Sequence, residues 1–448
     1  MTGRTGDEGA TNGTEKDQAG AAASWRANGA PLPRRVVVTG IGIVTAAGVG
    51  VKSFWENLRV LRSPVAKITR FDASLFRTQI AAEANEFNPE DFLERNQVRR
   101  LDRFGQLSLA TAHQALDDAG LDTSTLPGDR VAVQMGSALG GIAHAEAQMH
   151  GFISAGVRGV DPRLALTVYC GASSCNVAIE FGFHGPNSTN AMSCASGTIA
   201  VGDAFRLIRD GSADVALAGG IEAPLAPLTF GAFALIRAMS TRNDDPAHAC
   251  RPFDRDRDGF VMGEGGAVLV LEEEERARAR GAPLYARISG YGTTNDAHHM
   301  TAPRPDGLQA ARAITDALAS AGVGPDEVDY VNAHGSSTPL NDSTESRAIR
   351  IALGERAGRI PVSGTKAYYG HALGASGAIE AAVCALAIRD GWIPGTLNLE
   401  QAGEDCDLDY VSGEGRSQPL RHVISNSFGF GGINASLVLS APEAASPP

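Results

Sequence analysis

The sequence predicts an α/β protein made of two similar halves. Two tripeptides recur at one fixed spacing of 180 positions (375 − 195 and 389 − 209). The pairs are Ala195-Ser196-Gly197 with Ala375-Ser376-Gly377, and Arg209-Asp210-Gly211 with Arg389-Asp390-Gly391. Residues 115–121 also resemble residues 317–323, and a strand-like apolar run follows each of them. Repeated βα segments in the same order indicate one pseudo-symmetric α/β unit.

Length and composition agree with a duplicated core. The 448 residues exceed one typical domain. We divide them into a disordered tail (1–33), a first half (34–285), a second half (286–440) and a short tail (441–448). An apolar content of 43% with 20% charged residues describes a globular, enzyme-like chain. The net charge of −12 argues against nucleic acid as the main partner, although it does not exclude a local basic patch.

The chain begins with a segment that lacks signs of a folded element. Residues 1–33 are mostly Gly, Ala, Thr and charged residues without the apolar region of a signal peptide, which predicts a disordered tail. No apolar run approaches the ~20 residues that span a bilayer, so we expect no membrane partner. The six cysteines contain no CxxC pair, which in a chain of this size predicts reduced thiols and a cytoplasmic location.

The first strand is predicted at residues 36–38. The segment Gly40-Ile41-Gly42 that follows resembles a dinucleotide-binding turn, but Thr45 stands at the third glycine position. We therefore interpret it as the first strand and turn of the fold. Further along, a predicted helix carries four arginines within nine positions: Arg95, Arg99, Arg100 and Arg103. Such a cluster is either a solvated helix face or a local basic patch.

Cys194 is the first candidate catalytic residue. Apolar residues at helical spacing follow it: Ile199, Val201, Ala204, Phe205 and Ile208. This pattern places the thiol in the first turn of a buried helix, where free backbone N–H groups and the helix dipole stabilise a thiolate. A buried structural thiol is the alternative on this segment alone.

The acidic segment 254–259 opens like a calcium-binding loop. The closing acid belongs at its twelfth position, which holds Gly265, and Glu264 lies one place early. The flanking helices of such a site are also missing from the sequence pattern. We predict a salt-bridged turn there and no metal site.

Two histidines change the interpretation of Cys194. His334 and His371 each lie in a turn rich in Gly, Ser and Thr, where a side chain can project into a site. Together with a cysteine at a helix start, they suggest a nucleophile with proton-handling partners. Near the C-terminus, the loop 426–434 contains glycines that suit a tight turn whose amides face a developing oxyanion, with a plain strand-to-turn connection as the alternative.

These motifs together resemble the β-ketoacyl-acyl-carrier-protein synthases, and among them the type II elongating ketosynthases. The resemblance runs from about Arg35 to Leu439 and includes the segments 251–254 and 259–265. Several independent motifs in the right order make it specific. The family implies the thiolase fold, a five-layered αβαβα sandwich of two pseudo-symmetric halves, which the internal repeat predicts independently.

The resemblance also implies a reaction. Cys194 would accept an acyl chain from the phosphopantetheine thiol of an acyl carrier protein. Malonyl-carrier protein would then lose CO₂, and its carbanion would attack the Cys194 thioester and lengthen the chain by two carbons. His334 and His371 would donate from Nε2–H to the malonyl thioester oxygen. No bound cofactor is expected, because the phosphopantetheine arrives on the carrier protein.

Other residues receive roles only through the resemblance. The backbone N–H groups of Cys194 and Phe430 would hold the acyl oxyanion, and Phe430 resembles the family's gating phenylalanine. An ion pair of Lys366 with Glu380 would support the histidines. The substrate contacts implied are Thr301 and Thr338 near the pantetheine arm, Leu139 and Phe233 in the acyl pocket, and Phe428. Arg99 and Arg100 match basic positions that face the acidic carrier protein.

Some positions depart from the usual pattern of elongating enzymes. Ala367-Tyr368-Tyr369 stands where Ser-Met-Thr is common, Ser336 replaces a frequent Thr, and Gly364 replaces a frequent Ser. A ketosynthase subunit of a specialised type II polyketide or polyene pathway, working with a chain-length partner subunit, is therefore the alternative to fatty acid elongation. The expected dimer is a homodimer or a heterodimer with a ketosynthase-like paralogue.

Three competing functions are less favoured. A thiolase would need a second cysteine in the loop 428–434, which has none, and a non-catalytic partner subunit would lack Cys194. A cysteine hydrolase would not need the set of two histidines and a Phe/Gly loop.

Overall fold

The computed structural model describes residues 33–443. Except for Pro33 and residues 441–443, the predicted tails 1–33 and 441–448 lie outside the described residues. The first half contributes β1 (Val36–Thr45), β2 (Val131–Gly136), β3 (Asn187–Asn190), β4 (Val215–Glu222) and β5 (Gly265–Glu273). The second contributes β6 (Ala286–Asn295), β7 (Tyr330–Asn332), β8 (Pro361–Ser363), β9 (His422–Gly429) and β10 (Ile433–Ser440).

Eight helices of eight or more residues accompany these strands in the described part of the chain. They are α1 (Arg103–Asp118), α2 (Ile142–Ala155), α3 (Ala172–Phe181), α4 (Ser196–Arg209), α5 (Pro227–Leu235), α6 (Leu308–Ala321), α7 (Pro339–Leu353) and α8 (Ser376–Asp390). The shorter helices are Val51–Asn57, Arg95–Arg100, Leu164–Thr167 and Glu274–Ala279. The two-residue strands are Gly48–Val49, Ala66–Lys67, Ile80–Ala81, Trp392–Ile393, Asp409–Tyr410 and Arg416–Ser417. None of the described helices is long and apolar enough to cross a membrane.

The two halves share one strand order. The first half runs β3-β2-β4-β5-β1 and the second β8-β7-β9-β10-β6, so each has the order 3-2-4-5-1 in its own numbering. Strands β2 and β7 are each parallel to both of their neighbours. Strands β5 and β10 are each antiparallel to both of theirs. The halves join where residues 36–38 of β1 pair with residues 286–288 of β6. The predicted α/β architecture of two pseudo-symmetric halves is confirmed.

Six of the long helices form three layers around the two half-sheets. Helices α4 and α8 contact each other in the middle, and residues 376–388 of α8 are all buried. They cross so closely that a Cβ on Gly197 would lie 2.7 Å from the Ala378 nitrogen, and one on Gly377 would lie 2.1 Å from Thr198 Oγ1. Helices α1 and α3 cover one outer face, and α6 and α7 cover the other. These contacts give the predicted five layers.

The repeat of 180 positions is visible in the backbone where the central helices begin. Ser193 has φ 51° and Leu373 has φ 42°, both in the left-handed region that non-glycine residues seldom adopt. Each residue opens a 3₁₀ turn (Ser193–Ala195 and Leu373–Ala375) that runs into α4 or α8. Cys194 and Gly374 are therefore structural counterparts.

The turn predicted at Gly40-Ile41-Gly42 is wrong. The segment forms no turn, because β1 continues to Thr45. A Cβ on Gly40 would lie 2.2 Å from the Ala115 carbonyl oxygen of α1, and one on Gly42 would lie 1.9 Å from that of Thr111. The two glycines let α1 pack directly on the strand.

Candidate active site

Cys194 lies in the 3₁₀ turn that leads into α4, and its side chain is buried. The C-terminal loop approaches this turn closely at Gly429. A Cβ there would lie only 3.2 Å from the Cys194 nitrogen, so the absence of a side chain permits the approach. The backbone N–H of Phe430, in the same loop, acts to lower the pKa of the Cys194 thiol. The helix start and the glycine loop predicted from sequence therefore meet at one thiol.

Both candidate histidines lie beside this thiol. His371 Nε2 is 3.1 Å from Cys194 Sγ. His334 follows β7 and faces His371, with the ring centroids 5.3 Å apart and the planes at 80°. Both side chains are buried. The structure thus brings together three residues that are up to 177 positions apart in the sequence (371 − 194).

Hydrogen bonds on the far side of each ring bear on where its proton lies. Lys366 Nζ is 3.4 Å from His334 Nδ1, and the same ammonium group donates to the His334 carbonyl oxygen and pairs with Glu380. An ammonium group only donates, so His334 Nδ1 accepts and the ring proton resides on Nε2. His371 Nδ1 lies 2.8 Å from Ser376 Oγ, a hydroxyl that can either donate or accept.

Electrostatics keep both imidazoles neutral. Burial lowers the pKa of His334 and of His371 well below the usual 6.5, and the Lys366 charge adds to the effect. Burial also raises the pKa of the Cys194 thiol, against the hydroxyl of Ser193, the Lys366 charge and the Phe430 N–H. Burial therefore opposes the thiolate that the helix start is expected to stabilise.

Two buried glutamates were missed by the sequence analysis. Glu345 accepts the backbone N–H groups of His334 and Gly335, each at 2.8 Å. Glu222 accepts from the N–H groups of Ala138, Leu139 and Gly374 and from the Ser137 hydroxyl, at 2.7–3.0 Å. Burial raises the pKa of both carboxyls to about 7. The only sequence signal for Glu345 is an acid on an otherwise buried face of the helix after the His334 loop.

A cavity of about 330 Å³ opens onto Cys194, His334 and His371. Among the residues assigned to substrate by resemblance, Phe233, Thr301, Thr338 and Phe428 line it, as does Phe430. Thr338 Oγ1 is 2.9 Å from Ser336 Oγ, so two hydroxyls meet on one wall. Apolar walls with a few polar groups suit a narrow, mostly apolar ligand.

Leu139 does not line this cavity. It packs beside the apolar cluster that contains Phe260 and Leu373, together with Phe233. The Phe430 ring stacks on that of Phe233 at 6.3 Å and 17°. The Phe430 loop is held in turn by a hydrogen bond from the Gly431 N–H to the Met300 carbonyl oxygen at 2.7 Å.

Arg99 and Arg100 lie outside the cavity. They end the short helix Arg95–Arg100, and both side chains are exposed. Within residues 33–443, neither of them forms an ion pair. Two unpaired guanidinium groups at a helix end are available to an acidic partner.

Comparison with known proteins gives consistent matches. Residues 33–277 match the family model of the β-ketoacyl synthase N-terminal domain, and residues 285–400 match that of the C-terminal domain. The chain is 46% identical over 404 residues to 3-oxoacyl-[acyl-carrier-protein] synthase 2 of Synechocystis, covering 90% of this chain and 97% of that protein. It is 44% identical over 422 residues to the putative polyketide β-ketoacyl synthase 1 of Streptomyces halstedii, covering 92% and 99%. The solved ishigamide ketosynthase/chain length factor superposes with a TM-score of 0.86 at 36% identity, covering 92% and 100%.

Proposed function

Because the chain belongs to the β-ketoacyl synthase family, we propose that it is a condensing acyltransferase that joins malonyl-acyl carrier protein to an acyl chain held on Cys194. The product is a β-ketoacyl-acyl carrier protein. The observation that carries this proposal is the placement of one thiol and two neutral imidazoles in a single cavity, with His371 Nε2 at 3.1 Å from Cys194 Sγ. The fold is the thiolase fold of this family.

The first step is transfer of the acyl chain to Cys194. Its sulfur attacks the thioester carbonyl of acyl-carrier protein, a new C–S bond forms, and the phosphopantetheine thiol leaves. The carbonyl oxygen becomes negative as the sulfur adds. The N–H of Phe430, which favours negative charge at the sulfur, and the N–H of Cys194 are the donors we assign to this oxyanion.

The second step is loss of CO₂ from malonyl-carrier protein. The electron pair of the broken C–C bond passes into the thioester as an enolate, and His334 and His371 donate Nε2–H to its oxygen. The carbanion carbon then attacks the Cys194 thioester, and the Cys194 sulfur leaves. Neutral imidazoles suit this role. Each keeps one N–H that can donate a hydrogen bond, but it lacks the acidic proton of an imidazolium, which the carbanion would remove.

Lys366 and Glu380 orient His334. The ammonium group lies at Nδ1 and so leaves the proton on Nε2, where the enolate oxygen forms. Glu380 balances the Lys366 charge inside the protein. We assign both to positioning and charge balance.

The carrier protein brings its substrate as a thioester on phosphopantetheine. Thr301 and Thr338 are the hydroxyl contacts that we assign to the pantetheine arm, and Phe428 forms part of the same wall. Leu139 and Phe233 belong to the acyl pocket, which opens once the Phe430 ring leaves Phe233. Arg99 and Arg100 receive the acidic carrier protein, and the reaction takes place in the cytoplasm.

Two pathways remain for this one chemistry, fatty acid elongation and a specialised type II polyketide or polyene pathway. The identities of 46% and 44% to a relative from each side do not separate them. In the second pathway, a chain-length factor like that in the ishigamide complex would be the partner. Otherwise the chain forms a homodimer.

The test is intact-protein mass spectrometry after incubation with a series of acyl-carrier proteins. We expect the mass of one acyl group on the wild-type chain and none on Cys194→Ala. Malonyl-carrier protein should then release CO₂ and give a product two carbons longer. Acylation without condensation would contradict the proposal and favour a hydrolase.

A further inference from the structure

We propose that the hydroxyl of Ser193 donates a hydrogen bond to Cys194 Sγ and is a further catalytic group, which stabilises the thiolate in the acyl-transfer step. This inference rests on the proposed function, because it assigns the hydroxyl to the nucleophile of that reaction. It adds a residue that neither the motifs nor the resemblance identifies.

Geometry places the hydroxyl at the reacting atom. Ser193 Oγ lies 3.8 Å from Cys194 Sγ, within the longer range of contacts to sulfur. Among the described residues, this is the only hydrogen bond of that hydroxyl, so it does not cap the turn. The Ser193 side chain is half-buried, whereas the thiol is buried. A hydroxyl can rotate its proton toward a neighbouring anion and away from a neutral thiol.

The second half of the chain acts as an internal control for the turn. Leu373 is the counterpart of Ser193 and has the same left-handed backbone, with φ 42° against 51°. The turn therefore forms with a side chain that has no polar atom. The hydroxyl at position 193 is not required by the backbone and stands only in the half that holds the thiol.

A donor is needed at this sulfur because its surroundings oppose a charge. The thiol is buried, and the Glu222 carboxyl acts against a second negative group nearby. Lys366 and the Phe430 N–H act in the opposite direction. His371 Nε2 lies 3.1 Å from the sulfur, and the His334 ring lies on the other side of His371. The Ser193 variants leave all of these groups in the chain, so a change in the pH midpoint of Cys194 alkylation reports on the Ser193 hydroxyl.

The experiment measures the pH dependence of Cys194 alkylation by iodoacetamide, read on the Cys194 peptide by mass spectrometry. The variants are Ser193→Ala, Ser193→Gly and the control Ser196→Ala. Ser196 Oγ bonds to the Ser193 carbonyl oxygen at 2.7 Å and makes no contact with the sulfur. Glycine removes the hydroxyl and also relaxes the left-handed backbone, so it keeps the test open if alanine impairs folding.

We expect the alkylation midpoint to rise by about 0.5–1 pH unit in both Ser193 variants, as the loss of one hydrogen bond of ordinary net strength implies for a long contact to sulfur, and to stay unchanged in Ser196→Ala. The midpoint is the readout because nucleophilicity itself rises with thiol pKa. An unchanged midpoint in Ser193→Ala overturns the proposal. A midpoint shift in Ser193→Gly alone also overturns it, as does an equal shift in Ser196→Ala. Either result would mean that a changed backbone turn, and not loss of the Ser193 hydroxyl, causes the shift.

This readout is independent of ketosynthase activity. A wild-type chain that fails to condense malonyl-carrier protein would contradict the proposed function, while the alkylation midpoints would still report on Ser193. With acyl-carrier protein as substrate, both Ser193 variants should lower the rate of self-acylation near neutral pH by about three- to tenfold and recover as the pH is raised.

Discussion

Replacing Lys366 by methionine separates the two roles of its ammonium group. In the wild-type protein this group pairs with Glu380, donates to the His334 carbonyl oxygen and lies 3.4 Å from His334 Nδ1. Both members of the ion pair are fully buried. Methionine fills similar space without charge, so the variant leaves one buried carboxyl without its partner and one imidazole without its orienting donor.

The pKa of Glu380 sets the magnitude of the first effect. Burial raises that pKa from 4.5 to about 7 even with Lys366 opposing the shift. Without Lys366 the pKa rises further, so the folded variant keeps a proton on Glu380 above pH 7 that the folded wild type releases. Each pH unit above 7 then lowers the stability of the variant relative to wild type by up to about 1.4 kcal/mol, until the pH reaches the raised pKa of Glu380 in the variant. At pH 9 the difference is at most about 3 kcal/mol, and at pH 6 this contribution is small because Glu380 carries the proton in both folded proteins.

Urea unfolding at pH 6 and pH 9 measures the loss of stability caused by the unpaired Glu380. CO₂ release from malonyl-carrier protein measures the loss of the donor that orients His334. Glu380→Gln in the Lys366→Met background should abolish the pH-dependent loss of stability. It should not restore decarboxylation, which we expect to fall by ~10² when the His334 donor is no longer held in place. A stability difference that does not change with pH would refute the argument about Glu380. Full decarboxylation in the double variant would show that Lys366 does not orient His334.

Four further outcomes are expected. Cys194→Ala should abolish acyl-enzyme formation without unfolding the protein, which peptide mass spectrometry and a thermal melt check together; acylation at another cysteine would contradict it. His334→Ala and His371→Ala should each lower CO₂ release by ~10²–10³ and affect self-acylation less, so measuring the two steps separately decides the assignment. Because both imidazole pKa values lie well below 6.5, decarboxylation should stay constant from pH 8 to pH 6.5 and decline only in more acidic solution, as a pH–rate profile would show; a midpoint near 6.5 would mean that the rings are solvated. Reversing Arg99 and Arg100 to Glu should raise KM for acyl-carrier protein, leave kcat little changed and weaken the salt dependence of KM; an unchanged KM at low salt would leave the two arginines as a solvated helix face.

Much of the fold could be predicted because a duplication leaves a regular mark in the sequence. The 180-position offset anticipated the two central helices and the matching turns at Ser193 and Leu373. Cys194, His334 and His371 lie in loops that follow β3, β7 and β8, and the pseudo-symmetry brings these loops together. For the same reason, short motifs were enough to identify the centre of the site.

The remaining features depend on packing between distant segments. Glu222 binds the loop around Ala138, 84 residues away, and nothing near either residue in the sequence marks that contact. The sequence around Gly40 and Gly42 predicts a turn, but these glycines lie in a strand and permit the close approach of α1. That requirement comes from a distant segment and leaves no local mark in the sequence. Leu139 packs against the apolar cluster beside the cavity and does not line it, and the Phe430 ring stacks on Phe233 next to that cluster.

The counterpart of the nucleophile in the second half has a consequence for how this scaffold can change. A Cβ on Gly374 would lie 2.3 Å from the Ala138 nitrogen and 2.7 Å from a Glu222 oxygen, so no side chain fits there. The Gly374 amide, which corresponds to the amide of Cys194, is already bound to Glu222. The helix start of the first half therefore holds the thiol, whereas its counterpart in the second half is a tightly packed backbone contact. A cysteine at position 374 would clash with these atoms, so a single mutation cannot give this scaffold a second thiol at the symmetry-related position.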